Sequence, residues 1–256
     1  MRIDKYLCER GDFDSRTKAR EAIERGEVTI DGKRAKPSSD VTEGGIVEII
    51  TSDPFVSAGG AKLQKALDDF AFSPCGGVFA DIGASTGGFT ECLLKNGAKR
   101  VYAIDVGESQ LHPKIASDKR VVVCDRVNAR YLDRSFFSEL PSGFVMDVSF
   151  ISIKLLLPTI SRCLEDGGVL LSLIKPQFEL ENRVKVKNGI VRDVRARSKV
   201  CEGIFDYAGS CGLIPQKFTT APIRVGKNIE YLMLFTKNGV PFLRKEEVSE
   251  IILKNN

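Results

Sequence analysis

The sequence predicts an α/β chain, a mostly parallel sheet with helices on both faces, preceded by a small α+β segment. Three observations predict it. From residue 61 onward, short apolar runs alternate with helical stretches, which is how a covered parallel sheet reads. Residues 79–107, FADIGASTGGFTECLLKNGAKRVYAIDVG, run from an apolar strand through a glycine-bearing loop and a helix to a second strand ending on an acid. Residues 1–50 have another habit, with short, densely charged elements.

Composition sets the bounds. The 256 residues allow one good core plus an appendage, and 43% apolar with 28% charged residues describes a soluble globular chain. No apolar run approaches membrane-spanning length, and MRIDKYLCERG lacks the apolar stretch of a secretory signal, so a cytoplasmic protein without a membrane span is expected. The seven cysteines are odd in number and form no CxxC, and there is one histidine. Reduced thiols and no metal site are expected. A net charge of +4 permits a nucleic-acid partner without requiring one.

In order along the chain, Ile3, Tyr6 and Leu7 fall at helical spacing. Ser15 can cap a second helix running to Arg25, with Ala19, Ala22 and Ile23 as its buried stripe and Gly26 as its stop. EVTI is a short strand, Asp31-Gly32 a hairpin-type turn and GIVEII another strand. Residues 1–50 hold ten Lys or Arg against eleven Asp or Glu, so the segment is not basic overall. Its cations nevertheless gather as Arg2, Lys5 and Arg10, then Arg16, Lys18 and Arg20, then Lys33, Arg34 and Lys36, all but Arg10 being candidate RNA contacts. On charge alone, an RNA-facing surface and a merely solvated one are equally good readings. The order of elements, with the SR helix start, the I-x-x-G-x-V-x-I-D-G passage and the KPS after it, resembles the alpha-L RNA-binding motif over nearly all of residues 2–49. That resemblance implies that these eight cations touch RNA phosphates, giving affinity and placement rather than sequence choice.

TSDPFVSAGG, residues 51–60, reads as a linker, and residues 61–256 as the second domain. AKLQKALDDF is helical. GVFADIG, RVYAIDV, VVVCD, GFVMDVSFI and GGVLLSLIKP are five strands, with a helix closed by Gly97 after the first and one near 151–165 before the last. A helix near 195–212 and strands near 217–224 and 229–236 follow. Ligands of such a Rossmann-like sheet sit outside the carboxyl ends of the strands. The basic segment 181–193 is either an RNA-facing loop or a plain surface connection.

The glycine loop selects a cofactor. Gly83-Ala84-Ser85-Thr86-Gly87-Gly88 breaks the GxGxxG of nicotinamide sites, and no GxxxxGK[ST] is present. An acid on the first strand, a small-residue loop and an acid closing the second strand suit S-adenosylmethionine. Small side chains let the backbone approach the ligand. Thr86 to Phe89 would offer helix N-terminal amides to its carboxylate. Asp105, followed by Val106, can accept from both ribose hydroxyls, and Asp125 can reach the adenine amino group. Asp81 has two readings: contact with the sulfonium end of the ligand, or capping of loop amides.

Methyl transfer from a sulfonium is an in-line displacement whose acceptor must be aligned and nucleophilic. After the fourth strand, Asp147-Val148-Ser149-Phe150 replaces the Asn/Asp-Pro-Pro-aromatic loop often used for base amines. Neither Cys124 nor Cys163 has the Pro-Cys setting of a pyrimidine C5 nucleophile. If the sheet closes as read, Lys62, Asp147, Lys175 and Glu230 can converge at its catalytic rim. Each has a plainer reading: Lys62 as a helix surface residue, Asp147 as a helix cap, Glu230 as a solvated flank. Lys175 is harder to set aside, because it ends the apolar run VLLSLI at the ligand-bearing edge. A ribose hydroxyl is a very weak acid, so a neutral lysine beside it is useful. Lysine normally titrates near 10.4, and a second cation or burial lowers that value.

With GG-A-K-L-x-x-A-L, D-I-G-A-S-T-G-G-F-T-E-C-L-L, A-I-D-V-G-x-x-Q-L, D-V-S-F-I-S, L-I-K-P-Q-F-E and N-I-E-Y-L in hand, the chain resembles the TlyA family from end to end. These are haemolysin-A-like ribosomal RNA methyltransferases with an FtsJ-type catalytic domain. The resemblance implies 2′-O-methylation of rRNA, at cytidine, in ribosomal RNA or ribosomal subunits. It implies a Lys-Asp-Lys-Glu tetrad at Lys62, Asp147, Lys175 and Glu230, with Lys175 the general base. One departure is Ser57-Ala58-Gly59-Gly60, where the family commonly has Ser-Arg-Gly. Rival readings are a membrane-lysing protein, an RNA- and cofactor-binding protein without turnover, and a dehydrogenase.

Overall fold

The computed structural model describes residues 1–13, 15–42, 44–49, 55–180, 189–223 and 226–254. They fall into two units, Met1–Pro54 and Phe55–Asn256.

In the first unit, α1 (Ile3–Glu9) and α2 (Arg16–Arg25) precede β1 (Val28–Ile30), β2 (Lys33–Arg34) and β3 (Val47–Ile49), an antiparallel sheet of order β2-β1-β3. Ser15 Oγ accepts from the Lys18 amide at 3.3 Å and so caps α2. Gly26 ends α2 in the left-handed region at φ 80°. Asp31 and Gly32 both have positive φ, and Ile30 faces Lys33 across them, so the DG pair makes a two-residue hairpin. Ile3, Leu7, Ala19, Ala22, Ile23 and Val28 form the core.

The second unit contains α3 (Ala58–Phe70), β4 (Val78–Ile82), α4 (Gly88–Lys95), β5 (Arg100–Ile104), α5 (Pro113–Ala116), β6 (Val121–Cys124), β7 (Gly143–Met146), α6 (Leu157–Cys163), β8 (Val169–Ile174), α7 (Pro176–Glu179), α8 (Val194–Ser210), β9 (Leu213–Thr220), β10 (Tyr231–Lys237) and α9 (Lys245–Lys254). Its seven-stranded sheet has the order β6-β5-β4-β7-β8-β10-β9. Only β10 runs antiparallel to its neighbours. Side chains alternate between two cores, Phe144 and Met146 on one face and Val145 on the other. The crossover reverses at β4, flanked by β5 and β7, which opens a crevice at the carboxyl ends of the strands.

Three expectations are corrected. The strand expected near 217–224 is Leu213–Thr220. Pro215 is tolerated there because β9 is an edge strand and the pairing with β10 shifts register beside it. The connection from β6 to β7 carries only 3₁₀ turns at Ala129–Tyr131 and Arg134–Phe136. The expected linker 51–60 lies outside the described residues at 51–54, and its remainder joins the second unit. There the Val56 amide donates to Glu91 Oε2 at 2.5 Å, Lys95 Nζ sits 4.6 Å from the Phe55 ring centroid, and α3 already begins at Ala58. Residues 181–188 of the basic segment also lie outside the described residues. The rest of that segment is fastened by Asn228, which accepts from the Val191 amide and donates to the Gly189 carbonyl, each at 2.8 Å.

Candidate active site

The β4–α4 loop is built for close approach. Gly83 lies at φ 79°, and a Cβ there would stand 2.8 Å from the Asp147 carbonyl. On Gly88, a Cβ would meet Ser57 Oγ at 2.2 Å, because the start of α3 packs on the start of α4. Asp105 shapes the same loop, its two carboxylate oxygens accepting from the Ser85 amide at 2.9 Å and the Gly107 amide at 2.8 Å. A carboxylate accepts about four hydrogen bonds, so capacity for two hydroxyls remains.

Two cavities adjoin along this loop. The larger, of about 400 Å³, lies between Ile82, Ile104 and Leu156 and is edged by Asp105 and exposed Val106. The smaller, of about 240 Å³, is walled by Ala84, Thr86, Gly88 and Phe89 and reaches Asp147 and Lys175. Gly83, Ser85, Asp147 and Ser149 line both. A largely apolar slot edged by Asp105, opening past Asp147 into a glycine-walled chamber at a helix start, fits a nucleoside joined to an amino-acid tail.

Two of the expected ligand contacts are displaced. Asp81 is fully buried and lines neither cavity, and its Oδ2 accepts from Thr90 Oγ1 at 2.6 Å while Oδ1 is buried without a partner. Its hydrogen-bond partner is thus Thr90 in α4, away from the cavity walls. Burial, with Asp147 and Asp105 nearby, pushes its pKa up to about 7. Asp125 is also off the cavity walls, because its carboxylate turns to the Ser109 amide at 2.9 Å. On that side the wall is Val127, Asn128 and Ala129.

The four candidate catalytic residues meet as two ion pairs. Lys175 Nζ lies 2.5 Å from Asp147 Oδ1, and Lys62 Nζ donates to Glu230 Oε2 at 2.6 Å. Asp147 follows β7 and Lys175 follows β8, both parallel strands ending at this edge. Glu230 arrives there because antiparallel β10 begins where the others end; Tyr231 faces Ile174, so Glu230 stands level with Lys175. Gln177, two residues beyond Lys175, donates to Glu230 Oε1 at 3.4 Å. All four side chains are mostly shielded from solvent.

The two motif loops are joined by three contacts that the sequence reading missed. Lys175 Nζ donates to Ser149 Oγ at 2.7 Å. The rings of Phe178 and Phe150 lie 5.0 Å apart. Glu179 accepts from Ser152 Oγ at 2.5 Å and from the Ile153 amide at 2.8 Å. Burial raises the Glu179 pKa. Phe150 is 91% exposed and sits at φ 64°, a conformation that costs a non-glycine residue about 1–2 kcal/mol. An exposed ring held this way at the rim of the site can offer its face to a base. The only sequence hint was an aromatic at the end of an otherwise buried strand. Burial also raises the Cys124 thiol to about 11 and lifts that of Cys163, consistent with setting both aside as nucleophiles.

In the first unit, all eight candidate RNA-facing cations are exposed. Arg2 and Arg16 also have a structural task, since both bind the buried Asp4 carboxylate, at 2.8 and 2.9 Å. Lys5 pairs loosely with Glu9 at 3.4 Å, and Arg34 donates to the Glu24 carbonyl at 3.5 Å. Among the described residues, no helix is long and apolar enough to cross a membrane, and no metal-binding cluster is found.

Residues 55–237 match the family model for FtsJ-like methyltransferases, and residues 1–47 match that for the S4 domain. Hemolysin A of Brachyspira hyodysenteriae is 41% identical over 238 residues, 92% of this chain and 99% of that protein. The 16S/23S rRNA (cytidine-2′-O)-methyltransferase TlyA of Mycobacterium tuberculosis is 36% identical over 236 residues, 91% of this chain and 88% of that one. A solved structure of a candidate hemolysin from Streptococcus thermophilus has a TM-score of 0.80 and 37% identity, covering 99% of this chain and 94% of that one. An S-adenosylmethionine-dependent methyltransferase from Mesorhizobium loti shares the fold alone, with a TM-score of 0.53 at 13% identity over 70% of this chain and 100% of that one.

Proposed function

The chain belongs to the FtsJ-like methyltransferase family, alongside the TlyA and Hemolysin A proteins, and from that premise we propose that it methylates the ribose 2′-hydroxyl of a cytidine in ribosomal RNA. S-adenosylmethionine, when bound, supplies an electrophilic methyl group on a sulfonium. The observation that supports the proposal is the Asp147–Lys175 ion pair on the wall of the crevice, with the Lys62–Glu230 pair lining a neighbouring cavity at the same edge of the sheet.

The chain's own residues divide the work. The apolar slot would hold the adenosine, Asp105 would accept from its ribose, and the amides from Thr86 to Phe89 would face its carboxylate. Lys175 accepts the 2′-hydroxyl proton, and Asp147 holds its amine in place. Lys62 and Glu230 position the acceptor ribose from the other side. Phe150 supports the target base, and the S4 domain holds flanking RNA through phosphate contacts.

A membrane-lysing function is not favoured: the described residues offer no spanning helix, whereas an aligned pair of lysines and carboxylates suits proton transfer. A cofactor-holding protein without turnover would have no use for that pairing.

The test is transfer of labelled methyl from S-adenosylmethionine to ribosomes and isolated subunits. Lys175→Ala should lower the rate by roughly 10²–10⁴-fold while S-adenosylhomocysteine still binds. Unchanged transfer would remove Lys175 from the chemistry. Loss of binding together with transfer would assign it to the cofactor instead.

A further inference from the structure

We propose that Ser149 is a positioning residue that aims the Lys175 amine at the substrate hydroxyl. This rests on Lys175 being the base, as proposed above. Three groups approach the Lys175 Nζ: Ser149 Oγ accepts from it at 2.7 Å, the Asp147 carboxylate pairs with it, and the Phe178 ring centroid lies 6.0 Å away. Asp147 Oδ1 lies 2.5 Å from the same amine as an ion pair. The carboxylate and the serine, approaching from two directions, together fix the rotation of the amine.

Valence gives the consequence. A neutral lysine amine has one bond to Cε, two N–H bonds and one lone pair. Ser149 takes one N–H and the Asp147 carboxylate draws the second, so the lone pair is left the remaining tetrahedral direction. Ser149 lines both cavities, so it stands where the nucleoside slot meets the chamber of Lys175. In the reaction, the 2′-oxygen forms its bond to the methyl carbon as the carbon–sulfur bond breaks and its electron pair stays on sulfur. The hydroxyl proton passes to the aimed lone pair. If the amine turned freely, its lone pair would be misdirected in most encounters, and misalignment of reacting groups costs up to about 10²-fold.

The position of Ser149 is itself determined. It lies one residue before Phe150, whose φ of 64° turns the chain, and three before Ser152, which Glu179 holds at 2.5 Å. The DVSFIS loop is thus fastened to the helix after Lys175 beyond the serine, and by Asp147 to Lys175 itself before it, so base and positioning residue are tied together.

The experiment compares wild type, Ser149→Ala, Ser149→Thr and Lys175→Ala in the full chain. Single-turnover transfer to ribosomal subunits should fall about 10- to 100-fold in Ser149→Ala, with KM for the subunits and Kd for S-adenosylhomocysteine within about threefold of wild type. Ser149→Thr, which keeps the hydroxyl, should recover most of the rate. In cofactor-free protein, trace acetylation followed by peptide mass spectrometry should show Lys175 of Ser149→Ala reacting at least about twofold faster, with Lys62 unchanged as the internal control. A wild-type rate in Ser149→Ala with Lys175→Ala inactive overturns the role of Ser149 alone. An active Lys175→Ala overturns the reading beneath it. A rise in the S-adenosylhomocysteine Kd matching the fall in rate, or no recovery in Ser149→Thr, makes Ser149 a cofactor or packing residue and ends the proposal.

Discussion

Replacing Asp81 by Asn should make the protein less sensitive to rising pH, by an amount the structure sets. Asp81 is fully buried at the end of β4, with one hydrogen bond from Thr90 and one oxygen without a partner. Burial raises its pKa to about 7 from 3.8. A group whose folded pKa is raised contributes its full stability below the unfolded value, and that stability is lost as pH climbs to the folded one. The whole shift corresponds to roughly 4 kcal/mol at 1.36 kcal/mol per unit. About 1.5 kcal/mol of this is already lost at pH 5, which leaves about 2–3 kcal/mol to be lost between pH 5 and pH 8. The Asn side chain stays neutral throughout. The assay is urea unfolding of wild type and Asp81→Asn at pH 5, 6, 7 and 8, reading the difference in unfolding free energy between the two proteins. Other titrating groups largely cancel in that difference, which should move by about 2–3 kcal/mol in favour of Asp81→Asn across the range. A difference that stays flat with pH, or moves the other way, would show that the carboxyl is not held neutral by burial.

The remaining predictions concern the substrate and its holder. Phe150→Ala should lower kcat/KM for ribosomal subunits by about 5- to 100-fold, the range of losing one base–aromatic stack, with S-adenosylhomocysteine affinity nearly unchanged. A parallel loss of cofactor affinity in calorimetry would give the ring to the cofactor instead. Phe150→Gly should show the same catalytic loss and yet unfold at similar or slightly higher urea, since glycine adopts the positive φ without strain. Lys33→Gln and Lys36→Gln should each flatten the salt dependence of RNA binding by about one unit of log–log slope, leaving S-adenosylhomocysteine binding intact. Filter binding at several salt concentrations measures this, and unaltered slopes would return those lysines to being a solvated surface.

Much of the fold was written locally. Alternating apolar runs, the Ser15 cap, the Gly26 stop and the Asp31-Gly32 turn each act within a few residues, and each appears where the sequence puts it. The start of β9 was misplaced because a proline argues against a strand until one knows that the strand lies at an edge. A strand-end acid such as Asp125 is expected to reach a ligand, and Asp81 has both a ligand-contacting and a capping reading. Which way each side chain turned depended on Thr90 and Ser109, whose proximity no local pattern announces.

By itself the sequence determined the types of chemical group available, the α/β alternation and the glycine loop, because backbone sterics and side-chain periodicity are short-range. Only the tertiary structure decided that residues 62, 147, 175 and 230 form two ion pairs. It likewise decided that Ser149 holds the lysine, that Glu179 ties two loops together, and that Phe150 stays exposed in a strained turn. Those contacts join elements far apart in sequence: parallel β7 and β8 bring 147–153 beside 175–179, and the antiparallel last strand returns Glu230 to the edge where the parallel strands end.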